Sequence, residues 1–287
     1  MKPDEVEDSE EATTLDFITN FKAWLTKNEF TIESESSLKL INSKNKGEGR
    51  CIISTQSYEP DKLIYKIPYR HLINYRQSLK HPDLVELFEW CGANTDGYKL
   101  TRMDALYIYL ISQRFNVDSE LYGFIHSMPL IYDTPEYFDQ SLIDSLPAYF
   151  QEDCLKRIEK LKFKYNDIRK LLSDFIATRS NEISDGIINL DKNLDYENFR
   201  WVFNSVNSRC FHLDDRDLCD LDEMVLSNKL FGALTKRKQT NTSGSFKDFL
   251  KNLEQDEEYN NNLCCLIPYV DMLNHCLTPN GIILISF

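Results

Sequence analysis

The most informative stretch of the chain is Leu266-Ile-Pro-Tyr-Val-Asp-Met-Leu-Asn-His275. Its apolar start predicts a short strand that reaches Pro268, after which Asp271, Asn274 and His275 follow within five residues. The Asn274 side chain offers both a hydrogen-bond donor and an acceptor. Such a group at the end of a buried element needs backbone or ligand partners. These residues alone still favour a helix cap or turn, with a ligand site as the alternative.

Short β-prone runs occur on both sides of a long helical region. A first helix is predicted over Leu15–Phe30, where apolar residues recur at helical spacing. Turn signals then separate short apolar runs, which predict a small antiparallel sheet. The predicted strands are Leu38–Ile41, Cys51–Ile53 and Leu63–Ile67, with β character again at Cys264–Val270 and Ile282–Phe287.

The period of the apolar residues becomes helical between about Ser78 and Arg209. Pro129, Pro135 and Pro147 mark breaks within this region. The helix macrodipole favours an acid in the opening turn of a helix, where Asp104 is expected to lie. The predicted helices are Asp83–Cys91, Arg102–Phe115, Asp153–Ser173 and Tyr196–Ser208.

The charge of the chain argues against a general nucleic-acid binder, which would need a basic surface. Lys and Arg number 33 against 46 acids, a net charge of −13. Residues 1–13 hold six of these acids and Lys2, as expected of a solvated acidic tail. A basic partner such as a lysine-rich peptide fits this balance slightly better. Neither a secretory signal nor a run of ~20 apolar residues is present, so we expect a cytoplasmic or nuclear protein without membrane contact.

The cysteines and histidines do not predict a metal site. The eight cysteines include no C-x-x-C pair, and the five histidines lack the spacing of metal ligands. Reduced and mostly buried thiols are therefore expected. Leu213–Glu223 and Thr235–Asn262 are predicted as polar surface loops, and Lys236-Arg237-Lys238 is either a solvated basic run or a nuclear signal.

A resemblance gives these patterns a common explanation. The stretch ending in Asn274-His275 resembles the cofactor motif of SET-domain protein lysine methyltransferases. It is similar to the branch that contains the Rubisco large-subunit methyltransferase and SET domain-containing protein 4, and the latter is expected to be nearer. Three other stretches agree in type and order, namely Gly49-Arg-Cys-Ile-Ile-Ser54 through Pro68, Ser119–Pro129 and Trp201–Arg209.

The resemblance implies an α+β fold, with a small SET-type β-sheet unit split by a large helical insert. It implies transfer of a methyl group from S-adenosylmethionine to a lysine of a histone or non-histone protein, by a monomer without a metal ion. The alternative is a catalytically inactive cofactor-binding or protein-interaction module. The residues implied to line the cofactor are Glu48, Gly49, Arg50, Arg209, Asp271, Met272, Leu273, Asn274 and His275.

Two features depart from the family pattern. Cys51 stands where the relatives usually have the second glycine of a Gly-x-Gly loop, and its side chain would crowd a cofactor or alter the backbone angle. The family's catalytic tyrosine lies in a Tyr-Gly motif that has no counterpart before Phe287. We therefore expect a C-terminally truncated form with impaired activity.

These patterns divide the chain into six parts. They are an acidic tail (1–13), an N-terminal helix (14–36), an N-terminal β unit (37–82), a helical insert (83–212), polar loops (213–262) and a C-terminal SET segment (263–287).

Overall fold

The structure, a computed structural model, describes residues 18–28, 30, 38–42, 50–59, 71–93, 99–179, 183–214 and 262–272. The helices are α1 (18–27), α2 (Tyr75–Ser78), α3 (Pro82–Ala93), α4 (Arg102–Arg114), α5 (Tyr122–Ile125), α6 (Gln140–Ser145), α7 (Ala148–Thr178), α8 (Asp185–Asn193) and α9 (Tyr196–Arg209). The strands are β1 (Leu38–Asn42), β2 (Arg50–Ser54), β3 (Cys210–Asp214) and β4 (Asn262–Leu266), and 3-10 helices occupy Pro135–Tyr137 and Val270–Met272. Long helices with a few short strands confirm the α+β class.

The chain divides into two compact units. The first, here called the small unit, takes its described residues from Met1–Ile73, Glu120–Met128 and Leu266–Phe287. The second, here called the helical unit, takes them from Asn74–Ser119 and Pro129–Cys265.

In the small unit, α1 packs an aromatic face against α5. Phe21 and Trp24 are buried, and their rings stack with centroids 6.0 Å apart. The Trp24 ring also lies 5.8 Å from the ring of Phe124, and its indole N–H donates to the carbonyl oxygen of Glu120 at 2.6 Å. The N-terminal helix predicted from the apolar spacing is thus confirmed for the described residues.

The predicted β unit is confirmed in its first two strands. β1 and β2 are antiparallel, with Leu38 opposite Ser54 and Ile41 opposite Cys51. Cys51 is buried in this pair, as expected of the thiols in general. The predicted strand at Leu63–Ile67 lies outside the described residues.

Helix α4 lies at the centre of the helical unit, where it packs against α2, α8 and α9. Thr101 and Asp104 form a capping box at its start, so the acid predicted in the opening turn serves as part of the cap. Asp104 is also fully buried, and its carboxylate accepts a hydrogen bond from the Lys164 ammonium of α7 at 2.9 Å. The macrodipole was therefore only part of the reason for an acid at this position.

Polar groups of the loop after Pro129 anchor it to α9. The Trp201 indole N–H donates to the Pro129 carbonyl at 2.8 Å, and the Tyr132 hydroxyl donates to the Ser205 hydroxyl at 2.8 Å. The predicted breaks also hold, because Pro135 begins a 3-10 helix and Pro147 immediately precedes α7. The four predicted long helices are confirmed as α3, α4, α7 and α9, with α7 extending beyond its predicted ends.

The end of the predicted helical insert differs from the structure. No strand was predicted after the helix at Tyr196–Ser208, and Leu213 was predicted to open a polar loop, whereas Cys210–Asp214 forms strand β3. β3 pairs with β4 in a separate two-stranded sheet. Because this partner lies about fifty residues away along the chain, local periodicity could not reveal the strand. The short helices α2, α5, α6 and α8 were likewise not predicted.

Candidate functional site

The stretch that follows β4 makes a tight turn into a 3-10 helix. The Asp271 amide donates to the Ile267 carbonyl at 2.9 Å, and the Met272 amide donates to the Tyr269 carbonyl at 3.1 Å. Both amides are thus used within the turn.

Tyr269 holds the backbone conformation that makes this turn. Its φ is 75°, in the left-handed region that residues other than glycine rarely adopt. The side chain is buried, which holds the residue in place despite the backbone cost. Strained positions of this kind cluster at ligand and active sites. Sequence analysis missed Tyr269, because nothing in a Pro-Tyr-Val sequence indicates a positive φ.

Two contacts fix the turn within the small unit. Leu266 and Ile73 exchange both backbone hydrogen bonds of an isolated bridge, at 2.8 and 3.0 Å. The 3-10 helix at Val270–Met272 packs against β2. The strand that begins at Arg50 and the turn that carries Asp271 therefore lie side by side.

The structure describes four of the nine predicted cofactor residues. Arg50 is the first residue of β2, and Asp271 and Met272 lie in the 3-10 helix. Arg209 is the half-buried last residue of α9, in the helical unit. The five that lie outside the described residues are Glu48, Gly49, Leu273, Asn274 and His275.

The described residues contain neither a metal-ligand cluster nor a membrane-spanning helix. No group of three or more His, Cys, Asp or Glu side chains there is arranged to hold a metal ion. No helix in the same ranges combines the length and the apolar character needed to cross a bilayer.

The chain is similar in sequence to actin-histidine N-methyltransferases. The protein from Papio anubis is 24% identical over 196 residues, which cover 68% of this chain and 30% of that protein. The protein from Homo sapiens is 23% identical over 196 residues, with the same coverage. The chain thus matches less than a third of the length of these curated relatives, and no protein-family model matches it.

The fold is that of the SET domain of the Rubisco LSMT type. The SET domain of LSMT bound to lysine and AdoHcy superposes with a TM-score of 0.58 at 16% identity, over 91% of this chain and 45% of that one. Rubisco LSMT bound to AdoMet gives a TM-score of 0.54 at 17% identity, over 68% and 41% of the two chains. These identities are low, so the likeness shows the fold, and the predicted SET-type architecture is confirmed.

Proposed function

We propose that this chain carries the cofactor-binding part of a SET-type protein N-methyltransferase that uses S-adenosylmethionine. The observation that carries the proposal is the packing of β2 against the 3-10 helix at Val270–Met272. This packing joins the strand that begins at Arg50 to the segment that leads into Asn274. The LSMT structures with the same fold contain AdoMet, AdoHcy or sinefungin.

The polar and charged groups of the predicted cofactor residues suit S-adenosylmethionine. Arg50 and Arg209 carry guanidinium groups, which bind carboxylates such as that of the methionine part. Asn274 offers an amide that both donates and accepts, as a polar adenine edge requires. Glu48 and Gly49 precede Arg50, and Met272, Leu273 and His275 would complete the lining around Asp271 and Asn274. Bound S-adenosylmethionine supplies a methyl group on a positively charged sulfur.

The acceptor we favour is a lysine side chain of a protein, a histone among the candidates. A free lysine amine titrates near pH ~10.4, so a lysine-specific enzyme must bind the neutral amine. The LSMT structures contain lysine, monomethyllysine or MeLysine. The closeness to SET domain-containing protein 4, the monomeric state and the cytoplasmic or nuclear location remain predictions.

A histidine acceptor is the second candidate, and the relatives similar in sequence favour it, because they are actin-histidine N-methyltransferases. A histidine side chain titrates near pH ~6.5 and is already mostly neutral at pH 7. The pH profile therefore separates the candidates. Transfer to lysine should continue to rise above pH 8, whereas transfer to histidine should level off near neutrality.

Calorimetry with purified full-length chain and S-adenosylmethionine tests the cofactor. We expect saturable binding, and Asn274→Ala should weaken it at least tenfold, because it removes both polar groups of the amide. Asn189→Ala, a change at an exposed residue of α8, should leave the affinity unchanged. Absence of heat at millimolar cofactor, with the protein folded, would overturn the proposal.

Transfer of a radioactive methyl group to paired peptides tests the acceptor. One peptide presents a lysine and no histidine, and its partner has histidine at the same position. Label in only one peptide selects the acceptor. Tight cofactor binding with label in neither peptide, nor in histones or actin, would favour the inactive cofactor-binding module.

A further inference from the structure

Four large apolar side chains of the helical unit lie exposed in two turns. Phe115 and Val117 are 43% and 71% exposed in the turn after α4, and Leu130 and Ile131 are each 73% exposed in the loop after Pro129. We call these four exposed residues the apolar patch. The residues proposed to bind the cofactor include none of them, so the patch has no part in the function proposed above.

One arginine joins the two turns. The Cζ atom of Arg114 lies 3.8 Å from the centroid of the Trp201 ring and 5.6 Å from that of Phe115. The Trp201 indole N–H in turn donates to the Pro129 carbonyl, directly before Leu130. The two turns are therefore neighbours, and their apolar side chains form one surface. Single exposed apolar residues are ordinary, whereas contiguous patches mark interaction surfaces.

The loop that carries half of the apolar patch is fixed to α9 by polar contacts. The Tyr132 hydroxyl donates to the Ser205 hydroxyl, and the Thr134 hydroxyl donates to the Asn204 side-chain oxygen at 2.7 Å. These bonds hold the loop backbone while its apolar side chains remain in solvent. A surface that is already fixed loses little conformational freedom when a partner binds.

The exposed charges beside the apolar patch are carboxylates. Asp118 follows the first pair of apolar residues and Asp133 follows the second, and both are exposed. The exposed Asp195 accepts a hydrogen bond from the Asn198 amide at 3.1 Å, and the oxygen of the same amide accepts from Arg114 at 3.3 Å. Three acids therefore surround the patch, and neither turn contains a lysine or arginine.

The arginines that reach these turns from the helices are already engaged. Arg157 of α7 pairs with the Glu136 carboxylate at 3.1 Å, and Arg200 of α9 pairs with Glu197. Arg114 is half-buried and stacks on the indole ring of α9. The charge that a partner meets at the apolar patch is thus predominantly negative.

We propose that the apolar patch is a docking surface for a basic, amphipathic segment of a partner protein. Apolar side chains of that segment would cover the patch, and its lysines or arginines would lie beside Asp118, Asp133 and Asp195. Charge complementarity of this kind sets orientation and association rate. A second copy of this chain fits less well, because each copy carries a net charge of −13. The same carboxylates repel nucleic acids and anionic membranes.

Fluorescence anisotropy with a labelled helical peptide tests the proposal on the full-length chain. The probe is a leucine–lysine peptide of about 18 residues, long enough for about five helical turns, with all leucines on one face. We expect saturable binding that weakens as salt is added. One control peptide replaces leucine with serine and the other replaces lysine with glutamate, and both should bind at least tenfold more weakly.

Variants of the chain locate the binding surface. The double variant Leu130→Ser with Ile131→Ser should weaken binding of the leucine–lysine peptide at least tenfold, because it removes half of the apolar patch. The double variant Asp118→Asn with Asp133→Asn should also weaken binding and reduce its salt dependence. Phe163→Ser is the matched control, since Phe163 is 66% exposed on α7 but lies between lysines, and it should leave the affinity unchanged.

Hydrogen exchange provides a second measurement, and we expect the bound peptide to protect residues 115–117 and 130–133. Protection only elsewhere, or equal affinity of the wild type and the serine double variant, would overturn the proposal. So would equal binding of the lysine and glutamate peptides. Self-association in sedimentation, or flotation with phosphatidylserine vesicles, would identify a different occupant if the serine double variant abolished it. Circular dichroism of each variant verifies that it is folded.

Discussion

The two units of this protein are built from contacts of different kinds. In the helical unit, long amphipathic helices carry their own caps, as in the box formed by Thr101 and Asp104. In the small unit, short elements depend on partners far away in the sequence. The Trp24 indole bonds to Glu120, 96 residues later, and Ile73 bridges to Leu266.

Because of this difference, the stability of the helical unit and the proposed cofactor binding depend on different kinds of contact. Helices with local caps and periodic apolar faces can begin to form without the rest of the chain. A sheet bridge between residues nearly two hundred positions apart forms only when the chain has closed a long loop. The proposed cofactor turn belongs to the second class, so the function depends on the part of the fold that the sequence specifies least directly.

Removal of the buried carboxylate of the helical unit should have the largest effect. Asp104→Ala deletes the acceptor of the Lys164 ammonium and of the Thr101 amide, which lies 3.0 Å away. Loss of one partner of a buried pair leaves the other charge uncompensated, which costs about 3–5 kcal/mol. Urea unfolding followed by circular dichroism measures this cost.

Asp104→Asn is the matched control, since it keeps the shape and a capping oxygen but removes the charge. We expect it to cost less than Asp104→Ala. A cost below about 1 kcal/mol for Asp104→Ala would mean that the helical unit does not depend on this pair.

A methyl group at Gly123 should be the next largest perturbation, and it acts on the small unit. A Cβ atom there would lie 2.7 Å from Cδ1 of Trp24, too close for a real contact. Overpacking of this kind costs about 1–3 kcal/mol. In Gly123→Ala, hydrogen exchange should quicken in residues 18–27 more than in α4.

The double variant Gly123→Ala with Trp24→Ala tests the cause. The smaller side chain removes the close contacts with Cδ1 and Cγ and leaves only the Trp24 Cβ, at 2.8 Å. The cost of the double variant should therefore be less than the sum of the two single costs. Strictly additive unfolding costs would contradict the clash as the cause. An equal rise in hydrogen-exchange rate in both units would contradict the conclusion that the two units depend on different contacts.

The titration of His81 should make the stability of the helical unit depend on pH. This effect should be smaller than those of the substitutions at Asp104 and Gly123. Burial lowers the pKa of this imidazole from its ordinary value of 6.5, partly opposed by the Asp83 carboxylate. The unfolded chain therefore binds the proton more readily, so stability is full above about pH 6.5 and falls as the pH drops through the lower folded pKa. Unfolding midpoints measured between pH 7.5 and 5 reveal the slope.

Replacement of the His81 imidazole should flatten the dependence of stability on pH. His81→Gln keeps a polar side chain beside the Gln113 amide, which lies 3.0 Å from the imidazole Nε2, and removes the titration. Asn189→Gln, at an exposed residue of α8 that does not titrate, should keep the wild-type slope. An unchanged slope in His81→Gln would assign the effect to other groups.

The smallest effect should come from an exposed pair on α7. The Lys156 ammonium lies 2.6 Å from the Glu152 carboxylate, and both side chains are about two-thirds exposed. Water and salt screen such a pair, so Glu152→Gln should not change the urea midpoint measurably. If Glu152→Gln lowered the free energy of unfolding as much as Asp104→Ala, burial could not explain why the two ion pairs differ in their contribution to stability.

Much of the helical unit could be predicted from the sequence, because helical periodicity and proline breaks are local signals. The helices α3, α4, α7 and α9 follow from them, and so does the strand pair of β1 and β2. Strand β3 could not be predicted, because its pairing with β4 is not a local property. The candidate site was found through a motif, whereas the left-handed backbone of Tyr269 has no signature in neighbouring residues.

The sequence by itself determined the α+β class, the apolar helix faces and the motif that ends in Asn274-His275, since these depend on neighbours within a few positions. Only the tertiary structure decided that Asp104 is a buried partner of Lys164. It also decided that β2 packs against the turn at Asp271. Each of these contacts closes a long loop, so its formation depends on the packing of the whole unit and not on local preference.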